Sequence, residues 1–148
     1  MAGDDGEFPV RLPDVPGTPE TTQGKTYATL KDRWEAFNAL WRAASQALDD
    51  AIEAKDAGGI ATAFSRIDAL IADRDGQTAT FCFSVLIEGK SLMAAAERHR
   101  SRLLLDKAQF YLRYSDKLGM GDMSHRALND EMSRSLQRLA ALPVDDWR

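Results

Sequence analysis

The chain of 148 residues is 44% apolar and 28% charged, enough to bury one hydrophobic core and about the length of one domain. Its net charge of -4 and mean hydropathy of -0.38 suit a globular chain, and its longest apolar run, 81–87 with Ser84 inside it, falls far short of the ~20 residues that cross a membrane. An acidic start without the basic and apolar stretches of a secretory signal argues for a cytoplasmic location, and the single Cys82 excludes an internal disulfide.

Residues 1–24 hold Pro9, Pro13, Pro16 and Pro19 with Gly3, Gly6, Gly17 and Gly24, and almost no apolar side chains to anchor them. Such a segment cannot offset its ordering entropy, so a disordered acidic tail is expected. Pro13, Pro16 and Pro19 keep the three-residue spacing of polyproline II behind Arg11, which leaves an adaptor-docking motif as the alternative to a plain linker.

From residue 25 the pattern turns helical. Tyr27, Leu30, Trp34, Phe37, Trp41, Ala44, Leu48 and Ala51 recur at alternating spacings of three and four, a heptad seam that predicts a coiled-coil-like helix over about 26–56. Gly58 and Gly59 are expected to end it. Ile60, Ala63, Phe64, Ile67, Leu70 and Ile71 then mark a shorter amphipathic helix that folds back as the second arm of a hairpin.

Residues 78–118 read either way at first, since Phe81, Phe83, Val85 and Ile87 alternate like a strand. A longer count favours one continuous helix, with Phe81, Val85, Gly89, Leu92, Ala96, His99, Leu103, Lys107, Phe110, Tyr114 and Leu118 on a single stripe near the helical period. Gly89 on that stripe would let another backbone approach, or mark a kink. Gly119 and Gly121 close this helix. Asp122 or Ser124 then caps a last one, carrying Leu128, Met132, Leu136, Leu139 and Leu142 up to Pro143. The expected fold is all-α: an elongated four-helix bundle or coiled-coil-like hairpin with two long helices, one domain over 25–142, and a short tail over 143–148 whose Trp147 either packs back or docks elsewhere.

No motif here carries catalysis. The glycines at 119 and 121 lack the Lys-Ser/Thr of a phosphate loop, and His99 and His125 lie outside the Glu-x-x-His or His-x-x-x-His spacings of helical metal sites. His99 on an apolar stripe reads as a packed, hydrogen-bonded histidine, with a pH switch as the sharper alternative. Neither an enzyme nor a cofactor or metal is expected.

Charge is divided along the chain. The tail's five acids and one base account for the whole excess; residues 32–75 carry nine acids and five bases, and residues 90–126 carry four acids and eight bases. These features favour a non-catalytic helical protein-binding module, an adaptor or a stoichiometric inhibitor or regulator of a protein complex. The residues expected to meet its partner are the aromatic seam Trp34, Phe37 and Trp41 and the basic residues Arg98, Arg102, Arg113 and Lys117, joined by Arg134 and Arg138 if the last two helices are neighbours. The alternative is a nucleic-acid-associated regulator using the basic third helix, although Asp106 and Asp116 interrupt its stripe. A homodimer is also expected, to cover long helices that have few others beside them.

Overall fold

The computed structural model describes residues 8–15, 28–72, 79–117 and 123–141. Among these residues the fold is all-α, with five helices and no strand: α1 (Leu30–Glu53), α2 (Ala57–Ala72), α3 (Ala79–His99), α4 (Arg102–Lys117) and α5 (Met123–Ala140). They sort into two compact units, Met1–Thr78 and Ala79–Arg148, where length alone predicts one domain.

The first unit contains the expected hairpin of α1 and α2. Thr29 starts α1 from an extended conformation, its hydroxyl oxygen accepting from the Asp32 amide at 3.0 Å, so one of the unpaired donors of the first turn is satisfied. The seam is buried from Phe37 through Trp41, Ala44, Leu48 and Ala51, and Phe37 stacks between Trp34 and Trp41 with ring centroids 6.1 Å away on each side. All six apolar positions expected on α2 are buried. Within residues 8–15, Phe8 is buried too, so the N-terminal segment has an apolar anchor that its composition had not suggested.

The glycines do not end α1. The chain reverses at Lys55, whose φ of 55° puts a lysine in the left-handed region usually left to glycine. Lys55 donates its amide to the Ile52 carbonyl (3.1 Å) and Asp56 donates to the Ala51 carbonyl (2.9 Å), the paired bonds of a Schellman ending. Gly58 and Gly59 instead lie in the first turn of α2. A Cβ on Gly59 would stand 2.6 Å from Asp56 Oδ2 and 3.0 Å from Ala51 Cβ, so this glycine permits the close start of α2 against the end of α1.

The expected 41-residue helix is two helices. It breaks at Arg100 (φ 49°), where Arg100 donates to the Glu97 carbonyl (3.4 Å) and Ser101 to the Ala96 carbonyl (3.0 Å), repeating the bonding of the Lys55 corner. Ser101 also opens α4: its buried hydroxyl oxygen accepts from the Leu104 amide at 3.2 Å and its carbonyl from the Leu105 amide at 3.1 Å. Arg98 and His99 occupy the last turn of α3, where the Arg98 charge meets the unpaired carbonyls and is worth about 0.3–1 kcal/mol. The basic cluster is therefore also a helix ending.

The helix does run unbroken through Gly89, which faces the returning α4: a Cβ there would lie 3.5 Å from the Ala108 carbonyl oxygen, 3.5 Å from Tyr111 Cβ and 3.2 Å from Met132 Cε of α5. Close approach, rather than a kink, is what that glycine allows. Val85, Leu86, Leu92, Met93, Ala95 and Ala96 of α3 are buried, as are Leu104, Leu105, Ala108, Tyr111 and Leu112 of α4 and Met132, Leu136 and Leu139 of α5. Gly119, Gly121, Asp122, Leu142 and the tail beyond lie outside the described residues, as do the side chains of Ser124 and Leu128.

The two corners invite superposition in sequence. Shifted by the 45 positions from Lys55 to Arg100, the buried positions Trp41, Ala44, Leu48 and Ala51 of α1 fall on Leu86, Gly89, Met93 and Ala96 of α3. Ile60, Ala63, Ile67 and Leu70 of α2 fall on Leu105, Ala108, Leu112 and Ser115 of α4, also all buried. Ile52, Ala61 and Phe64, also buried, fall on the exposed Glu97, Asp106 and Gln109, so the two hairpins share part of one spacing with different side chains.

Candidate protein-binding surface

The break at Arg100 changes the phase of everything after it. On one continuous stripe, Phe110 would be buried with Val85 and Leu92; in the structure it is 46% exposed, and the buried face of α4 passes through Leu104, Ala108, Tyr111 and Ser115 instead. Lys107, Phe110 and Tyr114, spaced three and four apart, form a row along an outer flank of α4. Lys107 Nζ lies 4.7 Å from the Phe110 ring centroid and 5.1 Å from that of Tyr111, and the Phe110 ring contacts Tyr111 and Tyr114 at 5.7 and 6.3 Å. A cation over an aromatic face is attracted by about 0.5–1 kcal/mol at an exposed site, which helps hold the row in one arrangement.

Beside this flank run Arg102, Asp106, Gln109 and Arg113, all at least partly exposed at helical spacing. Gln109, Leu112 and Arg113 then face Ser133, Leu136, Gln137 and Ala140 of α5 across a groove of about 300 Å³. In the same last turns of α5, Arg138 pairs with Glu97 of α3 at 3.4 Å, both groups well exposed.

The structure distributes the sequence-derived candidates unevenly. Arg102 and Arg113 share α4, Arg134 is exposed on the neighbouring α5, and Arg138 is tied to α3 beside the exposed Arg98. Because α3 and α4 fold back on each other, these residues do not continue as one straight basic stripe. The Lys117 side chain lies outside the described residues. Of the aromatic seam, Phe37 is 1% and Trp41 8% exposed within a single copy, so both are core; Trp34 is half-buried. His99 is half-buried at the end of α3, and the side chains of His125 and Cys82 lie outside the described residues.

Two features escaped the sequence reading. By spacing Phe110 falls on the core stripe, and nothing in that spacing announces the phase change at Arg100. Glu88, a carboxylate only 4% exposed on α3, interacts with other groups of the chain; its place among Val85, Leu86 and Gly89 was the available signal of its burial. Among the described residues no group of three or more His, Cys, Asp and Glu side chains could hold a metal ion, and no helix is long and apolar enough to cross a membrane.

Fold and surface together define an all-α protein of two helical hairpins, the second carrying an added helix and an exposed aromatic-basic flank. No family model, no curated protein and no solved structure matches the chain.

Proposed function

We propose that the protein is a non-catalytic helical binding module, an adaptor or a stoichiometric inhibitor or regulator of a protein complex, which meets its partner through the outer flank of α4. The observation that supports this most is Phe110, a large aromatic left 46% exposed within a row that also holds Lys107 and Tyr114. Aromatic and arginine side chains dominate binding energies when a partner dehydrates them, and Arg113 lies within a turn of the row. Phe110, rather than Phe37 or Trp41, therefore takes the anchoring role.

The test compares full-length protein with Phe110→Ala and Arg113→Glu variants as bait in an extract of the source cells, with stoichiometry read by mass spectrometry. A single partner held in fixed ratio by the wild type and lost with Phe110→Ala supports the reading. Equal capture by all three baits sinks it. Binding to nucleic acid is read separately by mobility shift at low salt, where phosphate contacts are strongest; a shift there with no protein partner would favour the nucleic-acid-associated alternative.

A further inference from the structure

The groove between α4 and α5 has an apolar stretch, Leu112, Leu136 and Ala140, and a neutral hydrogen-bonding one, Gln109, Ser133 and Gln137. Among the described residues that line it, Arg113 alone is charged. We propose that this groove binds a short acidic segment of the partner protein, one large apolar side chain entering between Leu112 and Leu136 and a neighbouring carboxylate pairing with the Arg113 guanidinium. The inference rests on the reading of the second hairpin as a protein-binding surface and adds the chemistry of what that surface holds.

Charge selects the occupant. Among the described side chains of α4 and α5, the cations Arg102, Lys107, Arg113, Arg126, Arg134 and Arg138 outnumber the acids Asp106, Asp130 and Glu131. Arg138 is engaged with Glu97, and Lys107 lies over aromatic rings. Arg113 and Arg134 are exposed and make no ion pair among the described residues. Covering Arg113 with an apolar or basic segment would take its charge out of water with nothing to answer it, whereas a carboxylate meets the guanidinium with two parallel hydrogen bonds.

Size and lining set the rest. A volume of about 300 Å³ is the lower end of pockets that enclose a ligand, room for one large side chain rather than a whole helix. The two glutamines and the serine both donate and accept, so they can pair with peptide main chain on either side of that anchor. A phosphodiester backbone would also answer Arg113, but it brings no apolar group for Leu112 and Leu136, and Asp130 and Glu131 interrupt the cationic surface it would follow.

Selection from a library of short random peptides on the immobilised full-length protein tests the proposal. The expected peptides carry aspartate or glutamate beside one leucine, phenylalanine or tryptophan. On binding they should displace the methyl NMR signals of Leu112 and Leu136, weaken as salt is raised, and bind the Arg113→Gln variant about tenfold more weakly, the loss of one charge-assisted hydrogen bond. Arg113→Glu should turn the selection toward basic peptides. Enrichment of basic or uncharged peptides by the wild type, or no enrichment at all, would overturn the proposal. So would methyl signals of Leu112 and Leu136 that move with protein concentration alone, because a second copy would then fill the groove. An oligonucleotide mobility shift lost in Arg113→Gln, with no peptide enriched, would overturn it in favour of nucleic acid. Peptides that depend on Phe110 but leave both methyls unmoved would overturn the groove and keep the flank, whereas a cellular partner held equally by wild type and Phe110→Ala would sink the flank's role while acidic peptides still bind the groove.

Discussion

Replacing Gly89 by alanine and by leucine measures how closely α3 and α4 pack. Alanine adds one methyl 3.2 Å from Met132 Cε and at ordinary contact distance from the Ala108 carbonyl oxygen and Tyr111 Cβ. Met132 Cε is the mobile end of an adaptable side chain and needs to move only a few tenths of an ångström, whereas alanine improves helix propensity by about 1 kcal/mol. Gly89→Ala is therefore expected to be neutral or stabilising by up to about 1 kcal/mol. Leucine is different: its further carbons enter a space bounded by α4 backbone, and overpacking of that kind costs about 1–3 kcal/mol. Urea unfolding followed by circular dichroism gives the two free energies, and hydrogen exchange locates the loss, which should be confined to the unit Ala79–Arg148. If Gly89→Leu unfolds at the wild-type midpoint, the helices do not meet at this residue and the described packing of the second hairpin is wrong.

The corners supply further expectations. Ser101→Ala removes the cap of α4 and should cost about 1 kcal/mol in the same unfolding assay. Lys55→Gly and Arg100→Gly relieve a left-handed conformation that costs a side-chain-bearing residue about 1–2 kcal/mol; the greater freedom of glycine in the unfolded chain offsets part of this, so a modest rise in midpoint is expected from each. Ile67→Ala opens a cavity in the first hairpin and should lose about 2–5 kcal/mol, with faster exchange in α1 and α2 and little change at α3. Arg138→Ala breaks an exposed pair and should shift stability by less than about 1 kcal/mol.

What was legible in the sequence was local and periodic. The six apolar positions of α2 and the seam from Phe37 to Ala51 read correctly because each depends only on neighbours three and four residues away. The break at Arg100 was hidden by two things: a left-handed position filled by arginine instead of glycine, and a stripe count long enough to absorb a phase error of one residue. Its signals were nonetheless present, in Arg98, His99 and Arg100 as a basic helix ending and in Ser101 as a cap ahead of Leu103, Leu104 and Leu105. By spacing alone Arg98 belongs with the partner-facing basic residues and His99 with the apolar stripe, so neither points to the carbonyl end of a helix. The exposed Phe110 was lost with the break, because a helix face is known only once its start is known. The aromatic seam could serve core or interface equally well by spacing, and only the packed chain assigns Phe37 and Trp41 to the core.

The matching corners at Lys55 and Arg100 bear on tolerance to substitution. A reversal built from a handful of main-chain bonds places little demand on the side chain that occupies it, so a lysine and an arginine serve alike. The faces beside it ask for burial at an interval more than for a given residue, as Trp41 and Leu86, Ala44 and Gly89, and Leu70 and Ser115 stand here. Exchanges among side chains at the two corners should therefore cost far less than an insertion or deletion of one residue beside them, which would turn every following face.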